Sequence, residues 1–217
     1  MSLNDKHYHQ LVSVFGSKLK ADEIVYLQSD EKNVVRQLFF SNEISAVENY
    51  CSGNNLFLVK SKFKIIFSDL ETGETFSNKG ERVDLSDKRS GAIICYIAKD
   101  EKSSLLAALS EHQRNDQLLG ELLGYPKCCI EYFLHRFGPE NSNPELESID
   151  HEENSLKNKI DLRLLDISKR DEDICLLSHF PCSWDCGESF NIAERRLLLL
   201  ASKVKSRANS LEIGLQK

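Results

Sequence analysis

The chain reads as an α+β protein, with a small N-terminal sheet and flanking helix followed by a mainly helical portion that bears paired cysteines. Two observations predict this. Between about residues 34 and 98 the apolar residues fall into short, partly β-branched runs separated by turn residues, which is the signature of strands. Beyond Asp100 they recur at helical intervals instead. The expected division is 1–100 as an α+β portion and 101–217 as a helical portion carrying a Cys/His site, either as two domains or as one continuous domain.

In order along the chain, Tyr8, Leu11, Val12, Val14, Phe15 and Leu19 lie at helical spacing and predict an amphipathic first helix over 4–19. Strands are expected at 34–40, at 56–67 in two runs broken around residues 60–62, and at 91–98, which is apolar enough to be buried. Residues 71–74 (Glu71, Thr72, Gly73, Glu74) and 78–80 (Asn78, Lys79, Gly80) supply turn chemistry. A helix is expected over 103–123, entered at a serine and stopped by Gly124, Tyr125 and Pro126. A short helix over 129–137 ends at Gly138 and Pro139. The acidic stretch 140–173 is expected to be partly loop, with a helix through 156–165, and a long terminal helix runs over 189–211 with 197–200 as its most buried part.

At 217 residues the chain is long enough to bury a core without disulfide staples, and hydrophobic and charged shares of 41% and 29% are ordinary for a globular protein. No apolar run approaches the roughly 18 residues of a spanning helix, and the N-terminus lacks the basic-then-apolar order of a signal peptide. A cytoplasmic location is therefore expected, with no membrane partner. There thiols stay reduced, so seven cysteines read as buried fillers plus ligands or reactive groups rather than a disulfide framework. A net charge of −6 argues against nucleic acid as a partner. A basic stretch (Arg195, Arg196, Lys203, Lys205, Arg207) and the acidic run 140–153 read as solvated faces.

The chemistry concentrates in two short segments of one plan. The first is Tyr125-Pro126-Lys127-Cys128-Cys129 and the second His179-Phe180-Pro181-Cys182-Ser183-Trp184-Asp185-Cys186, each an aromatic, a proline, then cysteine. Proline fixes its own φ and biases the preceding residue to extended geometry, so each cysteine leaves a stiff turn. Both segments adjoin an expected helix start, where backbone N–H groups and the helix dipole stabilise a thiolate.

Four cysteines in two pairs suit either a tetrahedral zinc ion or an iron–sulfur cluster, and the choice stays open at this level. The candidate ligands are Cys128, Cys129, His179, Cys182 and Cys186. Because adjacent cysteines strain to reach one ion, His179 is expected to stand in for one of the doublet unless the site is a larger cluster. Glu131 and His135 are further candidates on the first helix, Asp185 and Glu188 read as caps of the terminal helix, and Trp184 as packing against the site. Cys51, Cys95 and Cys175, each isolated in an apolar run, read as core residues.

The strings Leu122-Leu123-Gly124-Tyr125-Pro126-Lys127-Cys128-Cys129 and His179-Phe180-Pro181-Cys182-Ser183-Trp184-Asp185-Cys186 together resemble a prokaryotic family of unknown function that pairs a G-Y-P-x-C-C element with a downstream H-x-P-C-S-x-x-C element, over about residues 118–195. The resemblance implies that the two segments form one unit and carries over no activity. Nucleotide-binding, P-loop and common hydrolase motifs are absent from the sequence. The functional expectation is a cysteine-ligated metalloprotein, iron–sulfur or zinc, with an enzyme that modifies a small molecule or peptide in a biosynthetic pathway as one form it could take. A thiol redox protein and a zinc-stapled interaction module are the alternatives.

Overall fold

A computed structural model describes residues 4–66, 80–136 and 164–216. In chain order the described elements are α1 (Asp5–Phe15), α2 (Lys18–Gln28), β1 (Val34–Phe39), α3 (Ser41–Gly53), β2 (Phe57–Ile66), β3 (Glu81–Asp84), β4 (Ala92–Ala98), α4 (Glu101–His112), α5 (Asp116–Leu122), α6 (Lys127–Arg136), a 3-10 turn (Ser168–Glu172), α7 (Gly187–Lys203) and α8 (Lys205–Gln216). The architecture is α+β with a helical C-terminal portion. Two compact units result: Met1–Glu31 with Gly124–Lys217, and Lys32–Leu123. Residue 100, where the sequence reading divides the chain, falls inside the second unit. The expected turns at 71–74 and 78–79, the stop at Gly138 and Pro139, the acidic run and most of the helix at 156–165 lie outside the described residues.

The unit Lys32–Leu123 is built on an antiparallel sheet of order β1-β4-β2-β3. Almost every residue of the central strand β4 is buried, as a strand covered on both faces requires. The break expected at residues 60–62 is an irregularity within one strand: between Lys60 and Lys64, β2 advances four residues while β4 advances two, from Cys95 to Ile93. The buried Ser61 hydroxyl accepts from Ile94 N–H (3.1 Å) there, replacing the lost ladder bond. Arg36 and Tyr96, paired across β1 and β4, both reach Glu111 of α4. The guanidinium is bidentate at 2.6 Å and the phenol donates at 2.8 Å, so α4 is keyed to the sheet by a charge-assisted network. α3 was not anticipated, although Ile44, Val47 and Cys51 form a buried helical stripe.

The other unit gathers α1, α2, α6, α7 and α8. Where one helix is expected over 4–19 there are two, because Gly16 adopts φ 84° and its N–H closes on Val12, after which Ser17 caps α2 by accepting from Lys20 N–H. In the sheet unit the helix expected over 103–123 splits likewise at Arg114 (φ 57°), and Asn115 caps α5. The terminal helix splits at Val204, whose φ and ψ are −141° and 73°. Within α7 the buried positions are Ser189, Ala193, Arg196 and Leu200, one helical stripe. The expectation that 197–200 is most buried is thus corrected: Leu198 is 63% exposed and only Leu200 of the run is sealed.

The basic stretch is solvated at Arg195, Lys203 and Lys205, as expected, but not at Arg196 and Arg207. Arg207 is buried and bidentate to buried Asp22, at 2.7 and 2.9 Å, and donates to the Asp173 carbonyl at 2.7 Å. Tyr8 completes the group by donating to Asp22 at 2.6 Å. Arg196 is buried too, donating to the Leu176 carbonyl at 2.9 Å with its guanidinium over the Tyr26 ring. These ties fix α7 and α8 against α2 and the segment preceding His179.

Candidate metal centre

The site grows from two helix starts. Gly124 takes φ 75°, a value glycine tolerates, and turns the chain into Tyr125 and Pro126. The Pro126 carbonyl accepts the first helical bond of α6 from Ile130 N–H (2.9 Å), which places Cys128 and Cys129 in the first turn rather than ahead of it. In the second segment Cys186 itself is the N-cap of α7, its carbonyl accepting from Phe190 N–H at 2.9 Å. Asp185 is exposed and is not the cap, correcting that expectation, while Glu188 does lie in the first turn. Both helix N-termini thus present their positive ends toward the thiols.

Cys128, Cys129, Cys182 and Cys186 bring their four sulfurs within 4.8 Å of one another. Three of the separations are 3.9 Å (Cys128 to Cys129), 3.8 Å (Cys128 to Cys186) and 3.7 Å (Cys129 to Cys186). For one ion with four thiolates at about 2.3 Å, a regular tetrahedron sets neighbouring sulfurs about 3.8 Å apart. The sulfurs of Cys128, Cys129 and Cys186 therefore have the spacing of a single-ion donor set, and that of Cys182 lies within 4.8 Å of each. Both adjacent cysteines contribute a sulfur to the group, in the first turn of α6.

His179 is not one of the four converging donors. Its Nε2 lies 2.9 Å from the Ser189 hydroxyl, and that hydroxyl lies 3.3 Å from Cys129 Sγ. With Cys129 as a thiolate, which only accepts, Ser189 donates to sulfur and accepts from His179 Nε2–H. The Cys182 backbone N–H also donates to Cys129 Sγ, at 3.4 Å. Tyr125 ties the two segments together: its hydroxyl donates to the Ser178 carbonyl at 2.9 Å, and its ring lies 5.0 Å from the His179 ring. Ser189 is the residue that sequence reasoning missed. Its signal was its place three residues after Cys186, on the same face of the helix start.

Among the remaining candidates, Glu131 and His135 are exposed on α6, with Glu131 paired to Lys127 at 3.7 Å, and neither joins the quartet. Trp184 is buried. Cys51, Cys95 and Cys175 are buried as core residues, Cys175 donating to the Leu177 carbonyl at 3.0 Å.

Electrostatically, four thiols at this spacing resist ionising together. Burial pushes the Cys182 thiol up to about 12, with the neighbouring sulfurs adding to it. Burial raises Cys129 as well, against the opposing hydrogen bonds of Ser189 and the Cys182 N–H. At Cys186 burial also opposes ionisation, but the Ser189 hydroxyl and N–H and the adjacent thiols outweigh it and hold the thiol below its ordinary value.

No described helix is long and apolar enough to cross a membrane. The model of the family described as "Protein of unknown function (DUF483)" matches residues 98–209, and the chain belongs to that family. No curated protein and no solved structure matches it.

Proposed function

We infer that this member of the DUF483 family holds one zinc ion through the thiolates of Cys128, Cys129, Cys182 and Cys186, and that the ion fixes the fold of the unit around it. His179 then serves as a supporting residue behind Ser189 rather than as a ligand. The observation that carries this reading is the spacing of 3.7 to 3.9 Å among the Cys128, Cys129 and Cys186 sulfurs, the edge length expected around one tetrahedral ion, with the Cys182 sulfur within 4.8 Å of each. An iron–sulfur cluster interposes several irons and sulfides between its cysteines and spreads them further apart, so the spacing favours zinc.

A complete set of four cysteines is the donor pattern of structural zinc, whereas catalytic zinc keeps a position for water or substrate. That favours a zinc-stapled module over an enzyme acting on a small molecule or peptide in a biosynthetic pathway. A reducing cytoplasm would keep the four thiols available to the metal. The thiol redox reading has one observation in its favour, the exposed Cys128 sulfur 3.8 Å from that of Cys186.

Elemental analysis and the visible spectrum of protein purified without oxygen test the proposal. The expected result is close to one zinc per chain and no visible absorption. Brown protein containing iron and inorganic sulfide would replace zinc with a cluster, and a folded, colourless, metal-free product would remove the metal altogether.

A further inference from the structure

The four sulfurs are not equivalent. Cys129 is buried and receives hydrogen bonds from the Cys182 N–H and the Ser189 hydroxyl. Cys186 is buried at the helix cap, where the Ser189 backbone N–H donates to it. Cys182 is half-buried. Cys128 alone is exposed, and among the described residues its contacts are with the other sulfurs of the quartet. A hydrogen bond to a thiolate withdraws electron density from sulfur and lowers its nucleophilicity, and burial blocks approach. Both protections are present at Cys129 and Cys186. Neither is present at Cys128.

Resting on the four-thiolate reading, we propose that Cys128 is the reactive corner of the centre, the thiolate through which a soft carbon electrophile attacks the zinc-bound quartet. Four thiolates on one divalent cation leave the centre with net negative charge, which raises the donor strength of whichever sulfur is not quenched by hydrogen bonds. In the step itself a lone pair on Cys128 Sγ forms a sulfur–carbon bond as the leaving group departs with its electron pair. No proton moves, because the sulfur is already a thiolate. The ligand becomes a neutral thioether, a weaker donor, so the zinc is held by three thiolates and loosened. The centre is thereby an alkylation-sensitive site as well as a staple.

The probe is iodoacetamide, added in small excess to the zinc-loaded full-length chain, with peptide mass spectrometry reporting each cysteine and a chromogenic chelator reporting zinc release. The expected outcome is carbamidomethylation of Cys128 first, with Cys129 and Cys186 slower by about tenfold or more, equivalent to about 1.4 kcal/mol, and with zinc release following the Cys128 adduct. Modification of Cys182 first, or equal rates at all four, would overturn the assignment to Cys128 while leaving the zinc site intact. Failure of the chain to retain zinc at all before the reagent is added would instead sink the four-thiolate reading. In Cys128→Ser protein that still binds zinc, the fast-reacting thiol should vanish; a fast thiol persisting in that variant would also overturn the assignment.

Discussion

The Tyr125 ring lies against the imidazole of His179, with centroids 5.0 Å apart and planes inclined by 37°. One residue opens the first cysteine segment and the other opens the second, so this contact joins segments more than fifty positions apart next to the sulfurs. The Tyr125 hydroxyl, bonded to the Ser178 carbonyl, closes the same seam. Tyr125→Phe keeps the ring and removes the hydroxyl, and with it the hydrogen bond to the Ser178 carbonyl. Loss of that one hydrogen bond should lower stability by about 1 kcal/mol with the metal retained, a shift in the denaturant midpoint without loss of zinc in elemental analysis.

Metal removal should act on one unit. If zinc is the staple that its four cysteines suggest, a strong chelator will unfold the helices around it while leaving the sheet of Lys32–Leu123 protected. Amide hydrogen exchange with and without chelator resolves this by segment. Equal exchange in both conditions would mean that no ion supports the fold.

Ser189→Ala cuts the chain from His179 to Cys129 without touching a ligand. Removing such a supporting hydrogen bond commonly costs about 10–100-fold in metal affinity. Competition against a chelator of known affinity measures it, and the cobalt-substituted variant should keep the spectrum of a tetrahedral thiolate site. An unchanged affinity would reduce Ser189 to packing.

Breaking the Asp22–Arg207 pair should be severe. Both side chains are 1% exposed, and Asp22→Asn leaves a buried guanidinium without its charge partner. The expected loss is about 3–5 kcal/mol, read as a fall in the denaturant midpoint. A loss under about 1 kcal/mol would show the pair is solvated in solution.

The sheet unit carries an acid-sensitive tie. Burial of Glu111 opposes its charge, but Arg36 and the hydrogen bonds of Arg36 and Tyr96 prevail and hold its carboxyl below the usual range. A group whose folded value is depressed contributes stability above its unfolded value and loses it as pH falls through the folded one. The unit should therefore weaken as pH drops below the ordinary glutamate range, and Glu111→Gln should flatten that dependence. Denaturant melts of both proteins between neutral and acid pH check it.

Strands β1, β2 and β4 were legible because they rest on local pattern, whereas β3, four residues with three charged and none buried, carried no such signal. Residues 34–40 and 91–98 alternate or run apolar between turn residues, and the proline-framed cysteines mark themselves. Helix breaks were not legible, since 4–19, 103–123 and 189–211 keep helical spacing across Gly16, Arg114 and Val204, and only backbone geometry reveals the interruption. Arg196 and Arg207 were misjudged for a different reason. A charged residue reads as solvent-facing unless its partner is known, and Asp22 lies 185 positions from Arg207. His179 drew attention as a ligand because of its neighbours, while Ser189, which carries its contact to the site, had no motif of its own.

X-ray absorption at the metal edge of the protein as isolated tests the central claim most directly. A single zinc surrounded by four sulfurs at about 2.3 Å is the predicted result. A shell containing nitrogen or oxygen in place of any sulfur, a metal–metal distance of the kind found in a cluster, or no bound metal would contradict it.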